Sequence, residues 1–201
     1  MNHFFTSDTH YSHKNICMAT SEWDDAKTSG RTRDFKTIKA MNKTIVDNIN
    51  KTVGVDDVLY HMGDWSLGGK EQIEVFRYAI NCKNVHLILG NHDNNIRKSK
   101  WLQDSFTSVS EVKQIKIDDQ RIILCHYAMR VWYKSHKGSW MLHGHSHGSL
   151  SEDDHKSIDV GIDAAFMRVG KYKPYSFEEI QEIMSKKEIN IVDHHIKEHT
   201  K

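Results

Sequence analysis

Five short clusters of Asp, His and Asn, each at the end of an apolar run, are the residues of this chain best suited to chemistry. They are Asp8-Thr9-His10, Gly63-Asp64, Gly90-Asn91-His92-Asp93, His126, and Gly144-His145-Ser146-His147. Their donors are carboxylate, amide and imidazole, without cysteine. Such a set suits a divalent ion such as Mn, Fe, Zn, Ni or Co better than a closed structural zinc site. In Asp8-Thr9-His10 and in His145-Ser146-His147 the donors stand one residue apart, so on extended backbone both members of a pair point to the same face. Glycines beside the donors permit sharp turns and close approach. The chain holds 15 histidines, many beside Asp, Gly or Asn at the ends of apolar runs, where a ligand or an acid–base group is expected before a structural one.

The segments between these clusters read as elements that carry them. Residues 2–7 form a β-prone run into Asp8, Val58 to His61 an apolar strand stopping at Gly63-Asp64, and Val85 to Leu89 another stopping at Gly90. Val112 to Ile117 alternates, Asp118-Asp119-Gln120 turns the chain, and Arg121 to Cys125 returns as the second arm of a hairpin ending at His126. Trp140 to His143 leads into Gly144, and Ser157 to Ile162 supplies a further strand. Ile38, Met41, Ile45 and Ile49 recur at spacings of three and four, which predicts an amphipathic helix within residues 35–53; Ile73, Phe76 and Ile80 do the same within 71–80. A short helical stretch is expected at 96–102, and Ser176 to Glu179 is a capping box opening a last helix to about Lys187. Residues 17–35 are polar and aperiodic, a long loop of the kind that is often functional. Helices between early strands and a hairpin later predict an α/β chain, a two-sheet β-sandwich of mixed strands flanked by helices. Ligand loops gather at the carboxyl ends of strands in α/β sheets, so clusters far apart in sequence can share one site.

Composition narrows the partners. At 201 residues one domain over residues 1–201 is the default, since chains usually divide only beyond roughly 250 residues. With 28 basic against 27 acidic residues and a net charge of +1, no global field draws the chain to nucleic acid or anionic lipid, and any attraction for phosphate must be local. The first residues have neither a basic region nor an apolar core, and no stretch approaches the roughly 18 apolar residues of a membrane span, so a soluble, cytoplasmic protein is expected. Cys17, Cys82 and Cys125 are odd in number and widely spaced, which predicts reduced thiols, at least partly in the core.

Taken together and in this order, the five clusters resemble those of the calcineurin-like metallophosphoesterases and span residues 8–147. The stretch Asp8 to Asn15, the segment Arg31 to Phe35, and Leu124-Cys125-His126-Tyr127 also resemble a small bacterial and phage branch, although Ala128 stands where that branch often has proline. The resemblance implies two divalent metal ions, manganese ahead of the others. Asp8, His10 and His147 would bind one, Asn91, His126 and His145 the other, and Asp64 would bridge them. It further implies hydrolysis of a phosphodiester or phosphomonoester through attack by a metal-activated hydroxide. His92 would protonate the leaving oxygen, with Asp93 orienting it.

Further residues are candidates for substrate contact. His13 lies three residues after His10 and could face the substrate, though an ordinary loop histidine reads equally well. Arg31 and Arg33 could meet phosphate, against a reading as solvated charge. Between His126 and Gly144, basic and aromatic residues interleave, and Arg130 with Trp132 could hold a nucleotide, although a hairpin with its aromatics tucked inward has the same composition. His61 and His143 read as structural, and His194, His195 and His199 as a solvated tail. The leading expectation is a small phosphate ester, nucleotide-like, as substrate. A nuclease on single-stranded nucleic acid is the alternative, disfavoured by the lack of a long basic stripe, and a catalytically weak metal-binding scaffold is the reading from another class.

Overall fold

The computed structural model describes residues 1–151 and 155–193. The reading of His194, His195 and His199 as a tail therefore lies outside the described residues. Nine strands form two sheets. The first has the order β4-β3-β2-β1-β9 and contains β1 (His3–Thr6), β2 (Val58–His61), β3 (Asn84–Ile88), β4 (Ser108–Ser110) and β9 (Tyr175–Ser176). Its first four strands run parallel and β9 is antiparallel to β1. The second has the order β5-β6-β7-β8, from β5 (Val112–Ile117), β6 (Gln120–Cys125), β7 (Trp140–His143) and β8 (Ser157–Asp159). The hairpin β5–β6 is antiparallel, and β6, β7 and β8 are parallel. The expected two-sheet sandwich of mixed strands is what the chain forms.

Alternation along the strands divides the core into layers, since successive side chains leave opposite faces of a sheet. Phe4, Leu59, Val85 and Leu87 face Met41, Ile45 and Ile49 of α1 (Ile38–Thr52) and Ile73 and Phe76 of α2 (Lys70–Ala79). Their neighbours Phe5, Tyr60 and Ile88 point the other way, into the space between the sheets, where they meet Ile122, Leu124, Leu142 and Ile158. Phe177, Ile180 and Met184 of α6 (Phe177–Ser185) join this second layer. Helix α1 starts where the Thr37 hydroxyl accepts from the Ala40 N–H, and α6 where Ser176 and Glu179 close the expected capping box. Two one-turn helices, α3 (Asn94–Arg97) and α4 (Lys100–Gln103), occupy the short helical stretch. All three cysteines are free and buried, and among the described residues no helix is long and apolar enough to cross a membrane.

Three elements differ from expectation. The strand read over Ser157–Ile162 stops at Asp159, because the Asp159 carboxylate accepts the Gly161 N–H at 2.7 Å and folds the chain over. Ile162 then begins a helix, α5 (Ile162–Val169). Strands β4 and β9 are three and two residues long, too short for a period of two to show in sequence.

Truncating Ile45, fully buried between α1 and the first sheet, is expected to cost about 2–5 kcal/mol, because the lost methyls leave a cavity. Removing the cap with Ser176→Ala is expected to cost about 0.5–2 kcal/mol. Urea denaturation of the two variants measures this order, and equal or reversed costs would count against the layering described.

Candidate metal centre

All five clusters meet at one end of the sandwich, at the carboxyl ends of β1, β2, β3, β6 and β7. Their loops are bonded to one another before any side chain reaches inward. Past the ends of β1 and β2 the parallel pairing continues, with Asp8 N–H to Gly63 O at 3.0 Å, His10 N–H to Asp64 O at 3.0 Å and Tyr11 N–H to Trp65 O at 3.1 Å. The Asp8 carboxylate accepts the His145 N–H at 2.9 Å, and Asp64 Oδ1 accepts the His92 N–H at 2.9 Å. The close approach needs glycine: a Cβ on Gly90 would lie 2.3 Å from Asp64 Oδ1, and one on Gly144 would lie 2.0 Å from Ser7 Oγ and 2.3 Å from Asp8 Oδ2.

The ligand pairs do not sit on extended backbone. Asp8, His10, Asp64, His145 and His147 all have positive φ, between 47° and 69°, and make up five of the eight such non-glycine residues among those described. Left-handed backbone at Asp8, His10, His145 and His147, rather than strand alternation, turns both members of each pair inward. This conformation is uncommon outside glycine and costs of order 1 kcal/mol or more per residue, so its concentration here marks a site whose geometry the surrounding bonds enforce.

The side chains form two groups about a shared oxygen. In the first, His10 Nε2 and His147 Nε2 are 3.2 Å apart, and each lies 3.9 Å from Asp8 Oδ1. In the second, Asn91 Oδ1 lies 3.0 Å from both His126 Nε2 and His145 Nδ1. Between them stands Asp64 Oδ2, 3.5 Å from His10 Nε2 and 3.6 Å from His126 Nε2. Donors at about 2.1 Å from a common ion lie about 3 Å apart at right angles, so these spacings are close to those of coordinated atoms. The tautomers agree. His126 Nδ1 donates to Met62 O at 2.7 Å, which leaves Nε2 with a lone pair aimed at the amide oxygen of Asn91. Acceptors facing acceptors repel unless a cation lies among them, and the donor set fits one. His147 Nδ1 likewise donates to Asp163 Oδ2 at 2.6 Å and turns its Nε2 inward.

Burial makes the site dependent on charge compensation. The Asp8 carboxyl is fully buried and is pushed up to about 8, chiefly by desolvation, with the His147 ring opposing. Burial, reinforced by His147 and Arg33, holds His10 well below the ordinary imidazole range. Burial also lowers His147, but its bond to Asp163 and the charges of Asp8 and Asp163 outweigh this and raise it. Burial would raise Asp163 too, yet the charge and hydrogen bonds of Arg33 hold it well below the usual carboxylate range.

The remaining candidates divide. His92 stands at the rim, its side chain 43 % exposed and its Nε2 4.0 Å from Asp64 Oδ2. Asp93 does not orient the His92 ring. Its carboxylate accepts the N–H groups of Gly90, Asp64 and Trp65 at 2.8–3.0 Å and so ties the loops after β2 and β3 together. His13 is half-buried with its ring 5.3 Å from His10, and burial followed by the charges of His92 and Arg33 pulls it down to about 4. Arg31 is exposed, paired with Asp25 at 2.6 Å and stacked on Trp23, whose edge meets the His13 ring. Arg33 is neither a phosphate contact nor solvated charge: it is buried, with both sides of its guanidinium bonded to protein. Trp132 is also buried, packed with Ile123, Cys125 and Met141 and donating to Ser139 O at 3.0 Å, so its ring is not free to stack on a base. Arg130 is exposed and lines a cavity of about 440 Å³ with Met129, Leu150 and His155. His61 and His143 are buried, the former against Thr9 Oγ1 at 2.9 Å. Sequence reasoning missed Asp159 and Asp163, which stand at the end of β8 and in the first turn of α5 without a recognisable motif.

The model of the calcineurin-like phosphoesterase superfamily domain matches residues 1–184, and the chain belongs to that superfamily. The family is metal-dependent, and two sets of donors among the described residues, Asp8–His10–His147 and Asp8–Asp64–His126, bring their atoms within 4.8 Å of one another and could hold an ion. The chain is 26% identical over 191 residues to the uncharacterized protein MJ1445 of Methanocaldococcus jannaschii, covering 91% of each. Among solved structures it resembles the protein of unknown function AQ665 from Aquifex aeolicus, with a TM-score of 0.62, 22% identity and coverage of 90% of this chain and 98% of that one. A novel archaeal phosphodiesterase aligns with a TM-score of 0.46 and 19% identity over 80% of this chain and 82% of its own.

Because the buried Asp8 carboxyl has its folded pKa raised from 3.8 to about 8, its favourable contribution is complete in acid and is lost as pH climbs through that window. In chelator, Asp8→Asn should therefore gain stability relative to the parent protein between about pH 4 and about pH 8. Denaturation curves at the two pH values measure the difference, and a constant offset would contradict it.

Proposed function

We propose that this chain is a dinuclear metal-dependent phosphoesterase acting on a phosphodiester or phosphomonoester of a small, nucleotide-like substrate. The observation that carries the reading is the pair of donor groups meeting at Asp64 Oδ2, with the bare Nε2 of His126 facing the amide oxygen of Asn91 at 3.0 Å. Asp8, His10 and His147 would hold one ion, Asn91, His126 and His145 the other, with Asp64 serving both. Two divalent ions there would supply positive charge for the phosphate and lower the pKa of a water enough for it to attack phosphorus near neutral pH. Only Asp8 and Asp64 among the seven ligands carry charge. With two divalent ions in place, four positive charges would face these two carboxylates and the attacking hydroxide, a formal excess of one that would attract an anion although the whole chain is nearly neutral.

His92 performs the proton transfer. As the bond from water oxygen to phosphorus forms and the bond to the leaving oxygen breaks, its imidazole gives that oxygen a proton. Its backbone N–H is tied to Asp64 Oδ1, so the acid and the shared carboxylate move as one body. His13, beside His10 and facing the same space, supplies a second ring against the substrate. A small substrate is supported by the balanced charge of 28 basic and 27 acidic residues, because a polymer would call for a long basic track. Manganese is the ion expected to serve best.

A panel of chromogenic mono- and diesters, cyclic nucleotides and single-stranded DNA, assayed after chelation and again with Mn, Ni, Zn or Mg restored, tests the function. Rescue by metal on small esters is expected, preference for DNA would favour the nuclease, and no rescue on any substrate would leave a scaffold. His92→Ala should retain both ions by elemental analysis while turnover falls about 10²- to 10⁴-fold. Asp64→Asn should lower occupancy of both ions together; loss of neither would contradict the shared ligand.

A further inference from the structure

We propose that Asp163 and Arg33 form a positioning pair for the first ligand group, fixing His147 and the Asp8–His10 loop as one unit; this rests on the dinuclear reading above. Asp163, in the first turn of α5, accepts His147 Nδ1–H on Oδ2 at 2.6 Å. The ring is thereby set with its proton outward and its Nε2 lone pair toward Asp8 and His10, as carboxylate partners commonly do for ligating histidines. Arg33 grips the same carboxylate with two bonds, Nε to Oδ1 and Nη2 to Oδ2, both 2.7 Å. Its remaining bonds go to the carbonyls of Asp8, at 2.7 Å, and Thr9, at 2.8 Å.

A buried ion pair serving stability alone has no reason to end on ligand loops, and such pairs add little stability in themselves. Here both ends do. One guanidinium fork reaches the backbone between two ligands of positive φ, Asp8 and His10, and reaches a third ligand, His147, through one carboxylate. Lysine, with a single point charge, cannot span these positions. The second group is held otherwise: His126 is fixed by a main-chain carbonyl, Met62 O. The pair therefore acts on one ion of the two.

The test titrates manganese(II) into chelator-stripped protein by calorimetry and records long-range proton–nitrogen spectra of the histidine rings. The parent protein should take up two equivalents and show His147 protonated on Nδ1. In Asp163→Asn the charge is lost and an NH2 donor replaces one of the two oxygens, so the three bonds from Arg33 Nε, Arg33 Nη2 and His147 Nδ1 cannot all be kept. One equivalent should weaken about 10- to 100-fold while the other is unchanged, and the His147 proton should no longer be confined to Nδ1. Arg33→Lys should weaken the same equivalent and decides the matter if the first variant does not fold. Two equivalents at parental affinity in a folded variant would overturn the proposal. A parent protein that binds no manganese would end the dinuclear reading instead. The ring spectra then decide alone: Nδ1 protonation dependent on Asp163 sustains the pair, and Nε2 protonation refutes it.

Discussion

Buried carboxylates that bind the backbone N–H groups of neighbouring loops are what the site depends on. Asp93 joins the loops after β2 and β3 through three N–H groups. Asp8 joins the loop after β1 to that after β7 through His145 N–H, and Asp159 holds Gly148 and Gly161 on its two oxygens, at 2.8 and 2.7 Å. A carboxylate taken out of water is costly unless several donors meet it, and loop N–H groups left over at strand ends are donors in search of acceptors. Each need answers the other. Seven donor side chains drawn from five loops come together because their backbones are already bonded to one another.

This arrangement separates two uses of aspartate that look alike in sequence. Asp93 accepts three main-chain N–H groups, and Asp159 accepts two together with the Ser146 hydroxyl at 3.1 Å. Asp64 divides its two, with Oδ1 on His92 N–H and Oδ2 left among imidazoles. The division explains how a carboxylate can be held rigidly and still present an oxygen to a cation. The left-handed backbone at Asp8, His10, Asp64, His145 and His147 coincides with these bonded loops, where the surrounding structure can hold a conformation that costs free energy.

Much of this was legible in the sequence. Residue types at the ends of apolar runs located the cluster of Asp, His and Asn side chains, because polar clusters that follow one buried strand after another are brought to the same edge of the sheets. The helices α1, α2 and α6 were legible from spacing and caps. What was hidden depends on separation along the chain. Arg33 meets Asp163 across 130 residues, so nothing local distinguishes it from a solvated arginine. Trp132 reads as a base-stacking residue beside arginine and lysine until Ile123, Cys125 and Met141 are seen to surround it. Asp93 follows His92 directly, which suggested a partnership, but its backbone geometry sends the carboxylate beneath the loop rather than along the ring.

The distribution of these donors over the chain has an outcome for synthesis. The last of them, His147, lies in the loop after β7 of the second sheet, and its partner Asp163 on the helix that follows β8. A growing polypeptide therefore carries most of its donors for a long interval without any enclosure to hold them. The cluster is complete only when the two halves of the sandwich close, because His126, His145 and His147 all follow strands of the second sheet.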